Sequence, residues 1–115
     1  MTTESVEQPV VPEPTKRERL FDHHREMCRQ ALALMKRKNS DYATSDDPLA
    51  NFRRHGPYGM LVRIDDKLCR LDTLVKTGKL EVAEETGQDA LIDLINYAVL
   101  LSYYLEEVRS TKTRA

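Results

Sequence analysis

The last third of the chain contains a segment that is apolar on almost every side of a helix. In residues 84–108, EETGQDALIDLINYAVLLSYYLEEV, the apolar residues leave no wide polar face. A helix of this kind is normally buried. Asp89, Asp93 and Asn96 nevertheless share one narrow arc of it, because residues three and four apart lie on the same side of a helix. Buried carboxylates need cations, hydrogen-bond donors or a metal, so this acidic stripe must face another helix or a second subunit.

The rest of the chain also predicts helices. No run alternates apolar and polar residues long enough to form a convincing strand. Thr15 and Glu18 match a capping box, and Gly78 suits a C-terminal cap. Pro48 suits the first turn of a short helix capped by Asp46 or Asp47. We therefore expect long helices over about 16–38 and 58–78 and from 80–85 to 109, with a short helix over 48–55 that Gly56 and Pro57 end.

These elements predict an all-α bundle of three long helices plus a short connecting helix. A length of 115 residues allows one domain, which we place at 15–110, after a disordered N-terminal arm over 1–14 and before a polar tail over 111–115. Three helices in a flat array would leave the apolar last helix partly uncovered. We therefore expect oligomerisation to complete the bundle, as a homo-oligomer.

The charge and hydropathy of the chain limit the classes of partner that it can bind. The formal net charge is −1, which gives no strong nucleic-acid footprint. No segment has the apolar length of a secretory signal or a membrane span, so we expect no membrane partner and a cytoplasmic protein. Cys28 and Cys69 stand far apart without metal-ligand spacing, which indicates neither a zinc site nor a disulfide framework.

The predicted second helix carries a polar stripe of mixed charge. Arg63, Asp66, Lys67 and Arg70 follow at i, i+3, i+4 and i+7 and so lie on one face. Two interpretations remain open. In one, the basic residues pair with the acidic stripe as a structural salt-bridge network. In the other, four carboxylates bind Mg²⁺ through oxygen while the basic residues bind phosphate; they are Asp66, Glu85, Asp89 and Asp93.

The connecting segment, residues 36–59, combines cations, amides and aromatic rings. Lysine and arginine bind phosphate, aromatic faces stack on bases, and asparagine can pair with a base edge. We expect this segment to form half of a nucleotide pocket, next to the mixed stripe that follows it.

Three motifs together resemble a known family. They are KNSDYA, with Lys38, Asn39, Asp41 and Tyr42; VRIDDKLCRL, with Arg63, Asp66, Lys67 and Arg70; and DALIDLINYA, with Asp89, Asp93, Asn96 and Tyr97. In this order they resemble the nucleotide modification associated domain of bacteriophage and bacterial proteins, over about residues 20–105. Ala90 stands where that family often has a hydroxylated residue. If the protein is phage-encoded, the resemblance places it in the host cytoplasm.

That family is distantly similar to the MazG-like all-α nucleoside triphosphate pyrophosphohydrolases, which hold Mg²⁺ with ExxE and ExxD motifs on two helices. Here Asp89 would take the place of the last ExxD residue, Thr86 stands in the glutamate position, and Glu85 lies one residue earlier. The second helix has no ExxE.

The expected function is binding of a nucleoside phosphate, with Mg²⁺-dependent hydrolysis of an NTP to NMP and pyrophosphate as the enzymatic form. The candidate catalytic residues are Asp66, Asp89 and Asp93, and the candidate substrate-binding residues are Lys38, Asn39, Asp41, Tyr42, Arg63, Lys67, Arg70 and Asn96. The alternatives are a non-catalytic protein that sequesters or senses a nucleotide, and a helical interaction protein with structural Asp/Arg networks.

Overall fold

The computed structural model describes residues 8–42, 47–78 and 87–113. It contains three helices, α1 (Lys16–Tyr42), α2 (Ala50–Thr77) and α3 (Gly87–Thr113), and no strand within the described residues. The all-α prediction is confirmed. Of the predicted N-terminal arm, residues 8–14 are exposed and form neither helix nor strand, and residues 1–7 lie outside the described residues.

The predicted helix ends at Thr15 and Gly78 are confirmed. The Glu18 N–H donates to Thr15 Oγ1 at 3.1 Å, so Thr15 provides a side-chain cap for α1. Gly78 adopts a left-handed conformation (φ 71°, ψ 3°), and its N–H donates to the Leu74 carbonyl at 2.7 Å. These two ends follow from local chemistry, which explains why the sequence located them.

Two other helix ends differ from the predictions. Helix α1 continues to Tyr42 although we expected it to end near residue 38, and α3 continues to Thr113 although we expected residue 109. Polar residues cost a helix no more than about 0.7 kcal/mol each relative to alanine. Extending an existing helix adds one hydrogen bond for each residue that is fixed, so a polar composition alone does not end a helix.

Helix α2 contains a sharp change of backbone direction. It includes residues 50–55, which we expected as a short connecting helix, but Gly56 within it has non-helical angles (φ 69°, ψ −176°). Pro57 follows at once, and proline suits the first turn of a helical segment. Gly56 therefore redirects the chain between the N-terminal turns of α2 and its long C-terminal part.

Substitution of Gly56 should be more costly than substitution of Gly78. The angles of Gly56 belong to a region that essentially only glycine occupies, whereas asparagine tolerates the left-handed angles of Gly78. We expect Gly56→Asn to lower the free energy of unfolding by about 1–3 kcal/mol. The matched Gly78→Asn variant should lose less than about 1 kcal/mol. Urea denaturation of both variants checks this, and equal losses would contradict the assigned role of Gly56.

Helix α3 lies between the other two helices. It packs against both α1 and α2, whereas α1 and α2 have no Cα pair within 8 Å in the described part of the chain. Few of the described residues are buried: Ala31, Leu49, Phe52, Met60, Ala90, Ile92 and Asn96. Leu49, Phe52 and Met60 form the main cluster, against which α3 packs. None of the described helices contains a stretch long and apolar enough to cross a lipid bilayer.

Helix α3 begins at a point where it lies very close to α2. Its first residue, Gly87, lies against Leu74 of α2, and a Cβ at this position would collide with Leu74 Cδ2. A glycine within a helical pattern often has a packing reason of this kind. Gly87 allows this approach, which brings the acidic stripe of α3 next to the mixed stripe of α2.

Candidate functional site

Asp93 lies at the centre of an ion-pair network that joins all three helices. Its Oδ2 is 3.0 Å from Lys67 Nζ of α2, and its Oδ1 is 3.6 Å from Lys38 Nζ of α1. The Lys67 and Asp93 side chains are only 13% and 15% exposed. Partial burial reduces solvent screening, so this pair is stronger than an ordinary surface pair. The carboxylate therefore holds one lysine from each neighbouring helix in place.

Asn96 lies one turn further along the same face of α3. Its Nδ2 donates to the Ala31 carbonyl of α1 at 2.9 Å, and the side chain is 8% exposed. This bond satisfies the buried amide and ties α3 to α1. The amide oxygen can accept further hydrogen bonds, so the structural bond does not use all of the capacity of Asn96.

A cavity of about 300 Å³ opens beside Asp93 and Asn96, where the three helices meet. We call it the central pocket. Its lining combines carboxamides, aromatic rings and charged groups, and the remaining lining residues are apolar. Its lining comprises the amides of Asn39, Asn51 and Asn96, the rings of Phe52 and Tyr97, the charged groups of Lys38, Arg63 and Asp93, and Met35, Pro48, Met60 and Leu100.

The N-terminal turns of α2 form one wall of the central pocket. Phe52 is 5% exposed, and its ring centroid lies 4.9 Å from that of Tyr104 on α3, with 39° between the ring planes. Leu49, at 1% exposure, completes this anchor. The wall is therefore held by apolar contacts with α3, while Asn51 and Phe52 line the cavity.

Arg53 links the same wall to α3 on the outer side. Its guanidinium lies 2.8 Å from Asp47 Oδ2 and also donates to Glu107 of α3. The Asp47 carboxylate additionally accepts a hydrogen bond from the Leu49 N–H at 3.0 Å. The bond from Arg53, and then that from Leu49, hold the pKa of the Asp47 carboxyl below its usual range. The Arg53 pKa is raised, chiefly by Glu107 and then by Asp47.

A second cavity of about 480 Å³ lies between α1 and α3. We call it the α1–α3 cleft. Lys38 and Asp93 line both this cleft and the central pocket, so the two cavities adjoin at their ion pair. The full lining of the cleft is Arg29, Gln30, Ala33, Leu34, Arg37, Lys38, Asp89, Ile92 and Asp93.

The structure brings together about half of the residues predicted from the sequence. Lys38, Asn39, Arg63, Asp93 and Asn96 line the central pocket, and Asp89 joins Lys38 and Asp93 in the α1–α3 cleft. Lys67 contributes through its bond to Asp93. The side chains of Asp41 and Tyr42, and all of Glu85, lie outside the described residues.

Asp66, the predicted site carboxylate of α2, lines neither of the two cavities. Asp66 is 59% exposed and pairs with Arg70 of the same helix at 3.4 Å, one turn away. Of the interpretation in which the basic residues of α2 pair with the acidic stripe of α3, the structure shows the Lys67–Asp93 pair, whereas Arg70 pairs with Asp66 of its own helix. Arg63 lines the central pocket.

The Mg²⁺ prediction concerns Asp66, Glu85, Asp89 and Asp93. Within residues 8–42, 47–78 and 87–113, no group of three or more His, Cys, Asp or Glu side chains is placed to hold one metal ion. Asp89 and Asp93 line a common cleft, and Glu85 lies outside the described residues. The four-carboxylate site stays a prediction.

Several lining residues were not among the predicted site residues. Arg29, Ala33 and Arg37 repeat at four-residue spacing on α1, so the sequence contains the signal for a basic face there. Asn51 stands in the connecting segment, but its position beside Asn96 depends on the redirection of α2 at Gly56. The local sequence indicates a break at Gly56 and Pro57, but it does not give the direction that the chain takes after the break.

Comparisons of the chain with protein-family models, curated proteins and solved structures found no match.

Proposed function

We propose that this protein binds a nucleoside phosphate in the central pocket. The observation that supports this most is the chemical combination in one cavity of about 300 Å³: three carboxamides, two aromatic rings and two cationic side chains. Each of these groups suits a different part of a nucleotide, and all of them line the same cavity.

The base and sugar suit the amide and aromatic side of the pocket. A carboxamide offers both a donor and an acceptor, which matches the edge of a base. Phe52 and Tyr97 provide apolar ring surface for the faces of the base or sugar. Asn39 and Asn51 lie on different helices, so they approach the pocket from two sides.

The phosphate suits Lys38 and Arg63. A guanidinium binds phosphate oxygens through two N–H groups, and a lysine ammonium acts as a compact positive charge. Asp93 lies between Lys38 and Lys67 and fixes both ammonium groups before a ligand arrives. Preorganised cations bind an anion at a lower entropic cost than mobile ones.

The resemblance to the nucleotide modification associated domain agrees with this proposal. It also suggests a second candidate, hydrolysis of an NTP to NMP and pyrophosphate, which a specific arrangement favours. Asp89 and Asp93, one helical turn apart, both line the α1–α3 cleft and offer the hard oxygen ligands that Mg²⁺ prefers. When bound, Mg²⁺ neutralises phosphate charge and activates water.

We further propose that a second copy of the chain completes the bundle. The radius of gyration is 21.0 Å, whereas a compact chain of this length has about 13 Å. Leu61, Val62, Leu68 and Val99 are between 49% and 70% exposed, an unusual exposure for large apolar residues on packed helices. We expect sedimentation equilibrium to give at least twice the mass of 13.3 kDa, and a monomer at high micromolar concentration would contradict this.

Isothermal titration calorimetry with a panel of nucleoside mono-, di- and triphosphates tests nucleotide binding. We expect Arg63→Met to weaken the affinity about tenfold or more, because one charge-assisted bond to phosphate is lost. Arg25→Met is the matched control, since Arg25 is 73% exposed and pairs with Asp22 of the same helix. Its affinity should equal that of the unmodified protein.

The same preparations separate the alternatives. Pyrophosphate release that requires Mg²⁺ and is lost in Asp89→Asn supports the enzyme. Binding without turnover supports a protein that sequesters or senses a nucleotide. If no nucleotide binds at millimolar concentration, the proposal fails and the Asp93 network belongs to a helical interaction protein.

A further inference from the structure

The α1–α3 cleft has a basic wall and an acidic wall. Arg29, Arg37 and Lys38 lie on the α1 side, and Asp89 and Asp93 lie on the α3 side. Arg29 and Arg37 are eight residues apart, which separates their Cα atoms by about 12 Å along the helix. The basic groups therefore extend along α1 from Lys38, which belongs to both cavities, to Arg29.

The three cations differ in their surroundings. Arg29 is held by Glu26, with Nε and Nη2 donating to the two carboxylate oxygens at 2.9 and 2.6 Å. Lys38 lies 3.6 Å from Asp93. Arg37 lines the cleft next to Lys38 and forms no ion pair with any side chain in the described stretches of the chain. A guanidinium at this point can bind a planar pair of anionic oxygens without first giving up a partner.

We propose that the α1–α3 cleft binds the second and third phosphates of a nucleotide whose base lies in the central pocket. Arg37 is the main group that binds these phosphates. The inference rests on the proposed function and narrows it to nucleoside di- and triphosphates. The phosphate chain has only a short distance to span, because the first phosphate binds at Lys38 and the next phosphates bind at Arg37 on the same side of the cleft. Arg29, restrained by Glu26, marks the far end of the cleft.

The acidic wall does not prevent this placement. The Asp93 carboxylate is already shared by Lys67 and Lys38, so its charge is compensated. Asp89 lies on the α3 side, opposite the line of cations. The asymmetry of the cleft therefore directs a phosphate chain along α1, and it disfavours an anion that lies against α3.

Recognition of this kind makes the affinity depend on the number of phosphates. In the unmodified protein, we expect a nucleoside triphosphate to bind at least tenfold more tightly than the monophosphate of the same base, by calorimetry in metal-free buffer. Arg37→Met should reduce the triphosphate affinity about tenfold and change the monophosphate affinity less than twofold. Arg37 is exposed, so the variant should fold normally, and circular dichroism verifies this.

Arg25→Met, at a residue that lines neither cavity, is the control and should keep the full dependence on phosphate number. If the unmodified protein binds mono- and triphosphates equally, or if Arg37→Met weakens both equally, the inference is overturned while nucleotide binding stands. If the unmodified protein binds no nucleotide at all, the proposed function itself fails. The two failures are therefore distinguishable in one set of titrations.

Discussion

Replacement of Phe52 by alanine is expected to lower the free energy of unfolding by about 3 kcal/mol. Phe52 is 5% exposed, and it belongs to the buried cluster with Leu49 and Met60. Its ring also packs against Tyr104 of α3 at a centroid distance of 4.9 Å. Removal of the ring deletes apolar contacts and leaves a cavity that the surrounding side chains fill only in part.

The effect should be large for this protein because its core is small. Only six hydrophobic residues within the described ranges are buried, and Phe52 is the largest of them. Tyr58→Ala is the control: Tyr58 lies six residues later, is 81% exposed, and should change the stability by less than about 0.5 kcal/mol. Urea denaturation followed by circular dichroism measures both. A Phe52→Ala variant within 1 kcal/mol of the unmodified protein would show that the cluster does not hold α2 against α3.

The sequence predicted best those features that depend on neighbouring residues. The cap at Thr15 and the glycine at Gly78 require only a few adjacent groups, and both were located correctly. The all-α class follows from the same local periodicity. The acidic stripe also faces other helices as expected, because the apolar residues around Asp93 and Asn96 leave no other packing for α3.

The sequence could not identify which cation meets Asp93. Arg63, Lys67 and Arg70 share one face of α2, and a helical wheel cannot choose among them. The choice depends on the register of α2 against α3, which the contact of Gly87 with Leu74 helps to set. Lys38 was harder to foresee as a partner, because we expected α1 to end near it. The continued helix places Lys38 against α3.

The Lys67–Asp93 pair provides the second large effect. We expect Lys67→Met to lower the free energy of unfolding by about 2 kcal/mol, because removal of one partner leaves a mostly buried carboxylate without its nearest cation. The loss is smaller than for a fully buried pair, since Lys38 remains 3.6 Å from Asp93 and the carboxylate keeps 15% exposure. Urea denaturation at neutral pH measures it.

Lys76→Met is the matched control on the same helix. Lys76 pairs with Asp72 at 2.8 Å, but these side chains are 70% and 59% exposed. An exposed pair at this spacing contributes about 0.3–0.5 kcal/mol. Lys76→Met should therefore lower the stability less than Lys67→Met although its ion pair is the shorter one. The burial of the Lys67–Asp93 pair matters more than the small difference in distance.

A double-mutant cycle distinguishes the ion pair from the packing of the lysine stem. If the charge interaction dominates, Asp93→Asn should be less costly in the Lys67→Met background than in the unmodified protein, with a coupling of about 1–2 kcal/mol. If the stem dominates, the two losses should add, and the coupling should be close to zero. A substantial coupling would mean that Asp93 stabilises the bundle by holding Lys67 and Lys38, the arrangement that, in the proposed function, presents Lys38 to a phosphate. The same carboxylate would then determine both the register of the helices and the charge at the entrance to the α1–α3 cleft.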